Sequence, residues 1–486
     1  SDVYKRQMTN THQTSSPTPA ADLAGSRFDQ LPLSTAMLEN LRQLQYLTMT
    51  PIQAASLPIA LAGTDLIAQA KTGSGKTAAF ALPILKNLNQ PLFKVQSLVL
   101  CPTRELAEQV SQEIRRLARF ADNIKVLALC GGTLIRPQMT SLEHGAHIVV
   151  GTPGRIMDHL QRGSLSLDHL TSLVLDEADR MLDMGFYDDI NAIAKQCPKQ
   201  RQTLLFSATY PHGIAKLAQQ LLHNPQQIHL HEQHASSKIR QRFYEIDDNQ
   251  RFQAVAKLLR HYRPVNCLAF CNTKQQCRDL LNELLAQGFS ASTLNGDLEQ
   301  RDRDQVLIQF ANRSCSVLIA TDVAARGLDI SQLEAVINVD ISPDPEIHVH
   351  RIGRTGRADE AGWALSLFSP QETPRVNSIC QFMGKEPEWQ ALNELNDSQA
   401  TSLQPTMVTL QILAGRKDKI RPGDVLGALT ADAGFKSEQI GKINVTEQLT
   451  YVAVERSIGR EAVRKLSDGK IKGKSVKVRL LNLLMM

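Results

Sequence analysis

Asp176-Glu177-Ala178-Asp179 closes the apolar run Ser172-Leu173-Val174-Leu175, and upstream lies Ala70-Lys71-Thr72-Gly73-Ser74-Gly75-Lys76-Thr77. The upstream segment has the make-up of a phosphate cradle. A helix N-terminus leaves backbone N–H groups unpaired and carries partial positive charge, so it attracts anions. Gly73 and Gly75 let the backbone curl around a β-phosphate, with Thr72 and Ser74 in the same loop. Lys76 can reach the β- and γ-oxygens, and the Thr77 hydroxyl can ligate Mg²⁺. The carboxylates supply the other half: Asp176 would hold Mg²⁺ through water, and Glu177 would orient the attacking water. Asp179 is better placed for coupling than for chemistry. Each segment alone is ambiguous, because Gly-Lys-Thr can simply start a helix and acidic residues can simply cap one. Together they read as a nucleoside-triphosphate hydrolase.

Such a site needs a strand to end at the carboxylates and a helix to begin at Lys76. The sequence provides both in alternation. Short apolar runs at 65–69, 97–101, 125–130, 147–150, 173–175 and 203–206 are separated by helix-periodic stretches such as 105–114. Near-continuous apolar strands alternating with helices predict a doubly wound parallel sheet, with ligands at the strands' carboxyl ends. The polar stretch 231–240 reads as a linker. Alternation then resumes at 243–246, 267–270, 291–294, 317–320, 335–339 and 364–368. The expected organisation is a disordered lead over 1–27, a first α/β domain over 28–230, the linker 231–240 and a second α/β domain over 241–392. A second linker over 393–404 and a small domain over 405–482 complete it.

Beyond residue 404 the pattern changes to β (408–413), α (424–433), β (440–445), β (449–455), α (457–466), β (474–480). That βαββαβ order is the α+β plan of RNA-recognition domains. This segment carries 15 basic and 8 acidic residues, a net of +7 that leaves −2 for the rest of a chain whose total is +5. A polyanion is the expected partner of that end. The 486 residues hold 42% hydrophobic and 21% charged side chains, a globular composition with no apolar run of the ~18 residues that a membrane span needs. The eight cysteines form no Cys-x-x-Cys pair and read as reduced thiols in a cytoplasmic protein.

With these motifs in order, the chain resembles the DEAD-box RNA helicases from roughly Phe28 to Phe368. The resemblance implies two tandem RecA-like domains, ATP and Mg²⁺ as cofactors, and RNA as partner. Thr50-Pro51-Ile52-Gln53 is similar to the family's adenine-recognition motif, in which the Gln53 amide reads the base edge and the Phe28 ring packs on adenine. Gln45 stands where the family has glycine before an aromatic residue, here Tyr46. In His350-Arg351-Ile352-Gly353-Arg354-Thr355-Gly356-Arg357, the resemblance makes Arg354 and Arg357 the arginine fingers on the γ-phosphoryl group. It gives Arg351 and His350 to the network that couples the motifs, and Asp329 to the ribose.

The same resemblance implies an RNA-backbone track. In the first lobe it runs through Thr103, Arg104, Gly132, Thr152 and Arg155, and in the second through Thr273, Arg303 and Thr321. Hydroxyls, backbone amides and arginines suit phosphates rather than base edges. Ser207-Ala208-Thr209 matches the motif that links Asp179 to strand separation through the Ser207 and Thr209 hydroxyls.

The C-terminal segment, with Arg421-Pro422-Gly423-Asp424-Val425-Leu426-Gly427-Ala428-Leu429 and Ile440-Gly441-Lys442-Ile443-Asn444-Val445, resembles the RNA-binding domain of the family's bacterial DbpA-type branch. That implies docking on a hairpin of 23S ribosomal RNA and work on the pre-ribosomal large subunit. Lys472, Lys474, Lys477 and Arg479 are the expected phosphate contacts. The first strand has no aromatic residue, so stacking of bases on the sheet should be limited. The whole chain therefore reads as an RNA-stimulated ATPase that melts short RNA duplexes. An RNA clamp and a DNA-directed helicase are the rival readings; blocked hydrolysis in a Glu177→Gln chain and stimulation by single-stranded DNA discriminate them.

Overall fold

Six apolar runs of the first lobe become parallel strands of one sheet in the computed structural model, which describes residues 26–70, 74–210, 212–229, 239–295, 297–325, 333–356, 361–395 and 404–481. They are β1 (Leu66–Gln69), β2 (Ser97–Leu100), β3 (Val126–Leu129), β4 (Ile148–Gly151), β5 (Ser172–Leu175) and β6 (Gln202–Ser207). A seventh, β7 (Gln226–His229), was not expected, because only its Ile228 is buried and an edge strand needs no apolar run. The order is β3-β4-β2-β5-β6-β1-β7, parallel throughout. Strands β2, β4, β5 and β6 are buried along their whole length, which is why they read as continuous apolar runs. The 1–27 lead lies outside the described residues except for Ser26 and Arg27.

The chain divides between His231 and Glu232 into two units. The second unit opens with β8 (Ile239–Glu245), so Ile239 and Arg240, assigned above to a linker, belong to a strand; residues 231–238 lie outside the described ones. Basic residues Arg240 and Arg242 alternating with half-buried neighbours disguised its start, as befits an edge strand. With β9 (Cys267–Phe270), β10 (Ala291–Leu294), β11 (Val317–Ala320), β12 (Ala335–Asn338) and β13 (Gly362–Phe368), it forms a second parallel sheet in the order β10-β11-β9-β12-β13-β8. The expected second linker also begins later, since Asn393 and Glu394 lie in a short helical turn and Leu395 is buried in this lobe's core.

Both tryptophans of the chain belong to this lobe. Trp363 lies against Tyr262 with ring centroids 4.7 Å apart, and the Arg240 guanidinium sits over the indole at 5.3 Å from the ring centre. Trp389 packs on Phe368 at 5.2 Å and on Phe243 at 5.9 Å.

The C-terminal domain contributes β14 (Met407–Ile412), β15 (Ile440–Val445), β16 (Thr450–Glu455) and β17 (Val478–Leu480), antiparallel in the order β15-β16-β14-β17. Helices Pro422–Gly427 and Gly459–Asp468 cover one face. The expected first helix over 424–433 stops being an α-helix at Gly427 and continues as a π-helical turn over Ala428–Asp432. The last strand is shorter than the expected 474–480, and its first expected residue, Lys474, instead bonds Ile471 across a tight turn with Lys472 and Gly473 both at positive φ.

Period-two alternation fixes the two faces of this sheet. Leu410, Ile412, Val452, Val454, Val478 and Leu480 face the helices. Met407, Thr409, Gln411, Tyr451, Ala453 and Arg479 therefore point to the other side. That other face is not open: Thr409, Gln411, Tyr451 and Ala453 are buried. Asn312 Nδ2 of the second lobe donates to Thr409 Oγ1 at 3.1 Å, the Ser314 and Thr409 hydroxyls are 2.7 Å apart, and Gln309 Nε2 donates to the Leu481 carbonyl at 3.1 Å.

Candidate nucleotide and RNA sites

Phosphate-cradle geometry begins at Gly75, which caps the helix Lys76–Lys86 in a left-handed conformation at φ 94°. A side chain there would be strained, and its Cβ would fall 2.6 Å from the Gln53 amide nitrogen. Gln53 is buried and bonded at both ends of its amide: its Nε2 donates to the Gly75 carbonyl at 3.0 Å and its Oε1 accepts from the Thr50 amide at 2.9 Å. Thr50 returns the favour as N-cap of the helix Pro51–Leu61, so the two residues form a capping box. The loop and the Gln53 helix are thus tied together. Lys76 is buried and donates to the Ala70 carbonyl at 3.0 Å. Ser74 and Thr77 are half-buried beside it, while Thr72 and Gly73 lie outside the described residues.

The carboxylates stand where β5 ends. Asp176 is fully enclosed, and its Oδ1 is buried with no hydrogen-bond partner. Burial pushes its carboxyl up to about 6; Lys76 works against this and Glu177 adds to it. A buried, orphaned carboxylate oxygen beside a lysine is what a hydrated cation would satisfy, so the chemistry of Asp176 suits Mg²⁺. Glu177 adopts a left-handed backbone at φ 53°. Its Oε2 accepts from Arg180 Nη1 at 2.6 Å, both side chains buried. Arg180 was missed in the sequence, although its i,i+3 spacing from Glu177 on a short helix was a usable signal.

Asp179 points the other way. Its Oδ2 accepts from the amides of Ala208 and Thr209 at 3.1 and 2.9 Å and from the Thr209 hydroxyl at 3.0 Å; its own amide donates to Ser207 Oγ at 3.3 Å. Burial opposes its ionisation, but Lys76, the Thr209 bonds and Arg180 outweigh it and hold the carboxyl below the usual range. One short segment therefore carries a carboxylate kept reluctant to ionise and another kept ionised.

Phe28 lies in the core of the first lobe, its ring 6.2 Å from Tyr46 in an edge-on arrangement. Tyr46 donates to Glu113 at 2.6 Å. Gln45 takes φ 66°, the left-handed turn that a glycine would make without strain.

Along the expected RNA track, Thr103 caps the helix Arg104–Leu117 by accepting from the Leu106 amide at 3.3 Å. The Arg104 guanidinium lies against Gly131 and Gly132, and Gly132 is at φ 75°. Thr152 is the N-cap of Pro153–Gln161 but its side chain makes no capping bond. Arg155 donates through Nη2 to the Thr133 carbonyl at 3.1 Å, while its Nη1 is buried with no partner.

In the second lobe Thr273 caps Lys274–Ala286 in a capping box with Gln276. Arg303 Nη2 donates to the Ala324 carbonyl at 2.8 Å, next to Thr321, which opens the turn Asp322–Ala325. Arg351 grips Asp322 through two bonds of 2.7 Å and also reaches the Asp340 carbonyl and Asn272. Fully buried, it ties together the ends of three strands. His350 is half-buried on the same helix, and Arg354 is buried just beyond it. Arg357 and Asp329 lie outside the described residues. In the C-terminal domain, Lys472 is 3.4 Å from Asp424 and Lys474 is 3.9 Å from Asp418, so part of the basic run is already partnered. Arg479 Nε donates to Gln411 at 2.7 Å, and Lys477 is exposed.

Comparison with known proteins agrees with this layout. The family model of the DEAD/DEAH box helicases matches residues 50–217, that of the helicase conserved C-terminal domain matches 250–359, and that of the DbpA RNA binding domain matches 409–480. The ATP-dependent RNA helicase DbpA of Escherichia coli (strain K12) is 52% identical over 449 residues, which is 92% of this chain and 98% of that protein. DbpA of Bacillus subtilis (strain 168) is 36% identical, over 94% of this chain and all of its own length. Among solved structures, S. cerevisiae Dbp5 bound to RNA and ADP BeF3 superimposes with a TM-score of 0.69 at 29% identity, covering 76% of this chain and 96% of that one.

Proposed function

Because the chain belongs to the DEAD-box ATP-dependent RNA helicases, on their DbpA-type branch, and is by that membership an RNA-dependent ATPase, we propose how its residues divide the work and which RNA they serve. Lys76 and the amides of the glycine-rich loop hold the triphosphate. Asp176 and Thr77 hold Mg²⁺, which when bound would neutralise charge on the phosphates. Glu177, steadied by Arg180, orients the water that attacks the γ-phosphorus as the bond to the β–γ bridging oxygen breaks. Arg354 and Arg357 neutralise the oxygens where charge gathers, an effect worth ~10³–10⁵ in rate for an inserted arginine. Gln53 and Phe28 select adenine, and Asp329 takes the ribose. The Gln53 amide, already bonded to the Gly75 carbonyl, has a second N–H with which to read the base.

Thr103, Arg104, Gly132, Thr152 and Arg155, with Thr273, Arg303 and Thr321, grip the RNA backbone. The buried, unpartnered Nη1 of Arg155 supports a phosphate there. Asp179, Ser207, Thr209 and His350 couple the two activities, and the bent path imposed on one strand melts a few base pairs. The basic C-terminal domain directs the enzyme to 23S ribosomal RNA during large-subunit assembly, in the cytoplasm; among the described residues no helix is long and apolar enough to cross a membrane. The observation that carries the chemistry is the buried pair Asp176 and Glu177, one with an unpartnered carboxylate oxygen and one clamped by Arg180. Deproteinised 23S ribosomal RNA should stimulate ATP hydrolysis far more than poly(U) at equal nucleotide concentration, and Glu177→Gln should abolish it. Equal stimulation by the two RNAs would reduce the enzyme to a general RNA helicase.

A further inference from the structure

In an RNA-recognition fold the sheet face turned away from the helices is the surface on which bases stack. Here the centre of that face is closed. Thr409 and Gln411 on β14 are fully buried, and Tyr451 and Ala453 on β16 nearly so. The Thr409 hydroxyl accepts from Asn312 and shares a hydrogen bond with the Ser314 hydroxyl, two residues that follow the helix Gln300–Ala311 of the second lobe. From the last turns of that helix Gln309 reaches the carbonyl of Leu481, just past β17.

The same helix carries Arg303 nearer its start. A polar cluster of short side chains, buried on both sides, is costly unless its bonds are kept, so it favours one mounting over a range of loose ones. We propose that Thr409, Ser314 and Asn312 are positioning residues: they bolt the sheet of the RNA-binding domain to the second lobe and so fix the distance and direction between RNA gripped at the C-terminus and the RNA track of the motor. The sheet serves as a mounting plate. The functional half of this inference rests on ribosomal targeting; the mechanical half does not.

Two substitutions attack the joint from opposite sides, Thr409→Lys and Ser314→Lys, and neither residue faces its own domain's apolar core. Methyl relaxation in the full-length chain should show Leu410 and Val452 tumbling together with Val255 and Leu280 of the second lobe, and faster than them in both variants. Unequal tumbling in the parent chain, or unchanged tumbling in both variants, would overturn the joint. With 23S ribosomal RNA as probe, both variants should keep KM while kcat falls roughly tenfold to a hundredfold, as expected when a fixed linkage becomes a floppy one. Hydrolysis stimulated by poly(U) should be unaffected, and Thr409→Ser should retain the parent's rates. An unaltered kcat in both lysine variants would refute the positioning role. If the parent itself fails to distinguish ribosomal RNA from poly(U), the targeting reading falls, and the relaxation result still decides the joint.

Discussion

At the level of single residues, the two neighbouring carboxylates respond to pH in opposite senses. Asp176 has a folded-state value near 6, above the ordinary aspartate value, so the folded chain holds this proton more firmly than the unfolded one. Its contribution to ligand-free stability is therefore lost as pH rises from about 4 to about 6 and stays lost above that. Asp176→Asn should raise the melting temperature at neutral pH without nucleotide and flatten its dependence across that window, while hydrolysis is lost. Asp179, held below the usual range, contributes stability that is present above its unfolded value and disappears as pH falls. A second test concerns Arg180. Removing it leaves the Glu177 charge buried and unpaired, so Arg180→Ala should destabilise the chain by ~3–5 kcal/mol in denaturant titrations. Adding Glu177→Gln should restore most of that loss, and a purely additive double variant would show that the pair is not coupled.

Elements explain what could and could not be foreseen. Lys76, Asp176 and Glu177 were legible because strand ends and helix starts announce themselves through apolar runs and glycines. What Gln53 does was only half legible: a capping box can be seen in Thr50-x-x-Gln53, but its bond to Gly75 crosses between elements and leaves no local spacing. Strand β7 and the start of β8 were hidden because edge strands bury little, whereas β17 was foreseen but drawn too long at its start. Gln45 departs from the family's glycine in identity yet keeps the left-handed backbone, so the turn is dictated by its surroundings. Gly75 allows a sharper test. Gly75→Ala must pay ~1–2 kcal/mol for its left-handed backbone and must also displace the Gln53 amide. Calorimetric titration should show weakened ATP binding with poly(U) affinity in the absence of nucleotide unchanged; intact ATP binding would mean the loop has more room than its geometry allows.

For the molecule as a whole, the motifs lie in two parallel-sheet lobes, one in each unit, and the coupling proposed above has ATP and RNA favour one common state. Thermodynamic linkage then demands reciprocity: the factor by which saturating RNA tightens a non-hydrolysable ATP analogue must equal the factor by which the analogue tightens RNA. Both factors should exceed one, and an affinity for either ligand that is the same with and without the other would defeat the coupling. The second unit also carries an inbuilt reporter. Both indole side chains sit at one corner of the second sheet, at Trp363 and Trp389, and the first unit has none. Long-wavelength ultraviolet excitation will therefore light up only the rear half of the machine, and its emission during chemical unfolding can be followed as a private clock for that half while the front half melts in the dark.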